Sequence, residues 1–119
     1  MVHVRHREPP PAVDQLRLTD VLAALSDPLR VGLVRQLANG EERCFSEFNV
    51  PVAKSTLSHH LCTLRGAGLT DTRGEGTRSY VRLRREDIEA RFPNLLDAVL
   101  DAADRDDVGN HVSVSSGPA

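Results

Sequence analysis

Apolar residues recur along the chain with two different periods, and the change between them marks out its elements. Leu18, Val21, Leu22 and Leu25 keep the i, i+3, i+4, i+7 spacing of one helical face. Ser26-Asp27-Pro28 then interrupts the chain; Asp27 suits an N-cap, and Pro28 suits a first helical position that needs no N–H. Leu29, Leu33, Val34 and Leu37 stripe a second helix, which Asn39-Gly40 ends. Residues 44–48 predict a single helical turn with Phe45 and Phe48 inward, stopped by Asn49-Val50-Pro51. Leu57, Leu61 and Leu64 give residues 54–65 a buried helical seam, and Gly66 and Gly68 close it. The pattern then changes. Residues 69–73 and 77–83 read as two strands joined by the three-residue loop Gly74-Glu75-Gly76, an antiparallel hairpin. Helical spacing returns with Ile88, Phe92, Leu95, Leu96, Val99, Leu100 and Ala103, and Pro93 divides this stretch into a short helix and a longer one. The predicted class is mainly α with a small β-hairpin, in the order α-α-α-α-β-β-α.

The flanks lack such periods. Residues 1–13 contain Pro9-Pro10-Pro11 and read as a flexible arm, residues 14–105 as the folded domain, and residues 106–119 as a flexible tail.

At 119 residues the chain has room for one domain with its own core. Two cysteines are too few for a disulfide framework, which favours a reducing compartment. No run approaches the ~20 apolar residues of a membrane span, and the first residues lack the apolar region of a secretory signal. The expected location is therefore the cytoplasm, with no membrane partner. Scarce aromatics argue against a stacking platform for single-stranded nucleic acid.

The net charge of −2 conceals an uneven distribution. Between positions 54 and 85, Lys54, Arg65, Arg73, Arg78, Arg82, Arg84 and Arg85 meet only Asp71 and Glu75, a local net of +5. The preceding segment sums to −1 and the following one to −6. A basic middle between acidic flanks is an electrostatic footprint for a polyanion.

On a helical wheel of residues 54–65, Ser55, Thr56, His59, Cys62 and Thr63 fall opposite the leucine seam, Ser58 on a flank, and His60 nearer the seam. Such short donor and acceptor side chains suit base edges and phosphates in a DNA major groove. Lys54 adds charge at the helix start, where free backbone N–H groups also favour phosphate. Arg73, Arg78, Arg82 and Arg84 lie on or beside the hairpin, which then serves as a basic wing against the flanking backbone. The predicted DNA contacts are Lys54, Ser55, Thr56, Ser58, His59, Thr63, Arg73 and Arg78.

Four segments resemble the ArsR/SmtB family of bacterial repressors: Ala24-Leu25-Ser26-Asp27-Pro28-Leu29-Arg30, Ser55-Thr56-Leu57-Ser58-His59-His60-Leu61, Leu64-Arg65-Gly66-Ala67-Gly68-Leu69, and Gly74-Glu75-Gly76-Thr77-Arg78-Ser79-Tyr80. The resemblance extends over residues 16–103. It implies a winged helix-turn-helix and a homodimeric repressor released from double-stranded DNA by an inducer. It also implies that the first and last helices pair between subunits, through Leu18, Leu22, Phe92, Leu95, Leu96 and Val99. A two-fold dimer would present its reading helices to half-sites ~34–36 Å apart.

The sensing chemistry of such repressors is only half present. Many relatives bind thiophilic metals through Cys-x-Cys before the reading helix; here Cys44 matches the first position and Ser46 replaces the second. A soft metal needs several thiolates or imidazoles, so no metal and no cofactor is expected. The last helix carries Asp97, Asp101 and Asp104 but no His; His111 lies beyond it, and His3 and His6 lie in the arm. Two alternatives stay open: a thiol- or metal-responsive repressor using Cys44 and Cys62, and a winged-helix protein-interaction module without DNA binding. An enzyme is not expected, because His59 and His60 point in different helical directions with no acid–base pair beside them.

Overall fold

The computed structural model describes residues 9–115. A 3-10 turn over Val13–Gln15 leads into α1 (Leu18–Ala24) and α2 (Pro28–Gln36). Strand β1 (Arg43–Cys44), a second 3-10 turn (Phe45–Glu47) and β2 (Phe48–Asn49) precede α3 (Lys54–Gly66). The hairpin β3 (Thr70–Glu75) and β4 (Arg78–Leu83) follows, then α4 (Arg85–Arg91), α5 (Leu95–Arg105) and β5 (Ser113–Val114). Among the described residues, no helix is long and apolar enough to cross a membrane.

One core joins these elements. Leu33, Val34 and Leu37 of α2 and the following turn meet Leu57, Leu61 and Leu64 of α3, with Val81, Ile88 and Leu96 closing the other side. All of these are buried, so the seam expected from the leucine period of α3 is the seam observed. The α2–α3 arrangement with its trailing hairpin is a winged helix-turn-helix.

The Ser26-Asp27-Pro28 punctuation works as expected. Asp27 Oδ1 accepts from the N–H groups of Leu29 at 2.8 Å and Arg30 at 3.2 Å, with Pro28 at the first position of α2. Burial raises the Asp27 carboxyl. The two backbone bonds, with the charges of His60 and Arg30, outweigh that and hold it below its ordinary value. Arg30 then turns back to α1, where its Nε donates to Ala24 O at 2.7 Å.

Three expectations need correction. The single helical turn at residues 44–48 is a 3-10 turn between two short strands, because both of its ends pair with distant segments. Arg43 and Cys44 pair with Val81 and Tyr80 of β4, giving the sheet order β1-β4-β3, and β2 pairs with β5. The hairpin loop is Gly76-Thr77 rather than three residues, since Gly74 and Glu75 stay in register with Ser79 and Arg78. Gly76 takes φ +63°, the left-handed region such a tight turn requires.

The third correction concerns residues 106–115, expected to be a flexible tail. They fold back across α2. Val112 is buried, and Gly109 sits directly on Gly32, where an added Cβ would come within 2.7 Å of Gly109 O. Arg35 Nη1 donates to Val108 O at 2.6 Å and Asn110 Oδ1 at 2.7 Å. Phe48 then pairs with Val114 and Asn49 with Ser113. At the other end, Pro11 of the expected arm is half-buried beside Gly68, while residues 1–8, with His3 and His6, lie outside the described residues.

Candidate nucleic-acid interface

Helix α3 presents the polar face its sequence predicts. Lys54, Ser55, Thr56, Ser58, His59 and Cys62 are exposed, opposite the buried Leu57, Leu61 and Leu64. Its N-cap is Ala53, which makes no side-chain cap bond. The first-turn N–H groups are therefore open to an outside acceptor such as phosphate. Thr63 is half-buried and its hydroxyl donates back to His59 O at 3.1 Å, so it is less available than its place on the wheel suggested. His60 faces inward: its Nδ1 lies 3.1 Å from Arg30 Nη1.

The wing is less freely basic than its composition implied. Arg73 is held by Glu42 through two contacts of 2.8 Å and by Glu75 at 2.9 Å, and its guanidinium lies 4.5 Å from the centre of the Tyr80 ring. The hydrogen bond with Arg73 pulls the Glu42 carboxyl below its ordinary value; burial opposes it, and the charges of Arg73 and Arg82 add to it. The same bond to Glu42, then that to Glu75, tightens the hold of Arg73 on its proton. Glu42 comes from the loop before β1, far from the wing in sequence. Arg73, expected as a DNA contact, is thus ion-paired in this structure and braces that loop against the wing. Arg84 is buried and pairs with Asp87 at 2.9 Å, and Arg85 pairs with Asp97 at 2.9 Å. Arg82 lies 4.0 Å from Asp71. Arg78 is exposed and makes no ion pair among the described residues.

Helix and wing converge on one opening, a cavity of about 580 Å3 lined by Lys54 and Ser58 of α3 and by Thr77, Arg78 and Ser79 of the wing. Lys54, Ser58 and Arg78 thus border the same opening. No sequence signal marked this cavity, because its walls come from two stretches separated along the chain, residues 44–58 and 77–79.

Both cysteines are free thiols, Cys44 buried and Cys62 exposed. Ser46 Oγ donates to Cys44 Sγ at 3.4 Å. That bond and the Ser46 backbone N–H pull the thiol below its ordinary value against the effect of burial; the charge of Arg78 adds to them and that of Glu47 opposes. Among the described residues, no three His, Cys, Asp or Glu side chains are grouped to hold a metal.

The expected pairing surface divides. Leu18 and Leu22 of α1 are 45% and 44% exposed, and Phe92, Leu95 and Val99 are half-buried. Leu96 is 1% exposed and belongs to the chain's own core, which removes it from any surface a partner touches.

This fold, with a polar helix face and a wing on one side, defines a DNA-binding transcriptional regulator. Comparison with known proteins agrees. The pattern of bacterial regulatory proteins of the arsR family matches residues 27–72. The chain is 36% identical over 89 residues to the uncharacterized HTH-type transcriptional regulator YceK of Bacillus subtilis, covering 72% of this chain and 88% of that one. It is 39% identical over 98 residues to a biofilm growth-associated repressor of Agrobacterium fabrum, covering 76% of this chain and 80% of that one. Among solved structures, a "possible transcriptional regulator for arsenical resistance" superposes with a TM-score of 0.54 at 32% identity, over 73% of this chain and 95% of the other. A regulatory protein fragment from Mycobacterium bovis gives 0.53 at 30% identity, over 71% and 90%. The chain belongs to the arsR family of bacterial transcriptional regulators.

Proposed function

We propose that the protein represses transcription as a homodimer that reads DNA through α3 and is released from its operator by a signal. Lys54, Ser55, Thr56, Ser58 and His59 enter the major groove, with Thr63 at the edge of that face. Lys54 and the helix N-terminus take backbone phosphate, and Arg78 takes the phosphate beside it. The observation that carries this reading is the opening shared by Lys54, Ser58 and Arg78, an arrangement that suits contact of helix and wing with a single duplex. The relative from Agrobacterium fabrum is itself described as a repressor, which supports the direction of control.

The two-fold contact is assigned to Leu18 and Leu22 with Phe92, Leu95 and Val99. Two large leucines on one short helix, each nearly half exposed, are what a second copy would cover. The protein works in the cytoplasm, where its DNA is.

Titration of a labelled duplex from the promoter of its own gene, at several salt concentrations, tests the reading. Two chains per duplex, specific over a scrambled sequence and weakening steeply with salt, is the expected result. Absence of any salt-sensitive, sequence-specific binding across the promoters tried contradicts it.

A further inference from the structure

The crevice between the wing and the first turn of α3 carries more apolar wall than DNA can use. Phe45, Phe48, Val50, Val52 and Leu57 line its interior, while Lys54 and Arg78 stand at its rim. No lining residue is acidic, and neither cation makes an ion pair among the described residues. Glu47, on the adjoining turn, is not among the lining residues, and its carboxylate is engaged: Oε1 accepts from Cys44 N–H at 2.7 Å. The volume of about 580 Å3 is that of a small-molecule site. A DNA phosphate would satisfy the rim and leave the apolar interior empty.

We infer that this crevice binds a small amphipathic anion, a carboxylate or similar acid on an aliphatic or aromatic tail, whose occupancy displaces DNA. The acid head takes Lys54 and Arg78, and the tail lies on the phenylalanine and valine wall. Displacement rests on the DNA reading above, because it needs those two cations to be the ones that hold phosphate. Head and phosphate then compete for the same charges.

Octanoate is a suitable probe, with acetate as the head without the tail and octylammonium as the tail with the opposite charge. In the full chain without DNA, octanoate is expected to shift amide NMR resonances in residues 44–58 and 77–79, and neither control does so. In a duplex titration at constant ionic strength, octanoate at ten times its own Kd raises the apparent Kd for DNA about tenfold by mass action. Val52→Asp places an acid on the wall and should abolish the octanoate shifts. Val50→Asp serves the same purpose if the first variant loses its dispersed spectrum.

Shifts confined to the α1 and α5 surface, equal effects from acetate, or octanoate shifts undiminished in folded acidic variants each overturn the site. Octanoate seated in the crevice with unchanged DNA affinity overturns displacement. The NMR arm needs no duplex, so a chain that binds octanoate there and no DNA supports the ligand site while contradicting the DNA reading itself.

Discussion

Arg30 of α2 reaches His60 of α3 across the helix-turn-helix, with Nη1 3.1 Å from the ring Nδ1. An arginine has only donors, so Nδ1 accepts here when the imidazole is neutral. The same side chain also donates to Ala24 O at the end of α1. One guanidinium therefore ties α1 to the reading helix, from a helix that starts on Asp27. The Asp-Pro-Leu-Arg string and the second histidine of the His-His pair are parts of one brace. His59, one residue away, is left to solvent.

The brace predicts a division between neighbours. Asp27→Ala should lower stability by ~0.5–2 kcal/mol through the lost cap, and Arg30→Ala by a similar amount. His59→Ala, on the exposed face, should stay within ~0.5 kcal/mol. Urea unfolding of the three variants measures this. The sign with pH follows from the lowered Asp27 carboxyl. Its contribution is complete above the ordinary carboxylate value and is lost as pH falls through the lower folded-state value. The gap between wild type and Asp27→Asn should accordingly close in acid and stay constant above about pH 5.

The two wing arginines should behave differently although both lie on the hairpin. Arg78→Ala should weaken DNA binding almost uniformly across sequences and reduce the salt slope by about one. Arg73→Ala removes a charge already matched by Glu42 and Glu75 and should change the slope less. Equal slopes in the two variants would show that Arg73 leaves its acids when DNA arrives. Titrations at four or five salt concentrations decide between these outcomes.

Substitutions on the pairing surface should separate assembly from folding. Leu22→Glu changes an exposed side chain and should give folded monomers by sedimentation velocity. Leu96→Asp buries a carboxylate in the core and should unfold the chain. Folded Leu22→Glu dimers would place the interface elsewhere.

The C-terminal clasp should matter to stability. Gly32→Ala drives a methyl group against Gly109 O and Val112 and should cost ~1–3 kcal/mol. Hydrogen exchange should also speed up at residues 48 and 49, whose partners are Val114 and Ser113. Unchanged exchange there would show that β5 holds on without the glycine contact.

What the sequence revealed follows the range of its signals. The seam of α3, the cap at Asp27 and the break at Pro93 are local, and each appears where its spacing put it. The exposed polar face of α3 was legible for the same reason. The pairing of Arg73 was not legible, because Glu42 lies 31 positions away. The clasp was missed because Arg35 captures Val108 and Asn110 from 73 and 75 positions away, in a segment with few apolar residues. Leu96 shares its stripe with Leu95 and Val99, and a period alone does not say which edge of a wide stripe faces the chain's own core.

Whether the exposed side of α3 reads bases is decided by a comparison of three chains on one set of duplexes. Wild type, Ser58→Ala and His59→Ala are titrated by fluorescence anisotropy onto the promoter duplex and a panel of its single base-pair changes. Each variant should lose ~1–3 kcal/mol on the parent site and become indifferent to substitution at the base pair its side chain contacted. Unchanged affinity and unchanged site preference in both variants would contradict base reading by this face.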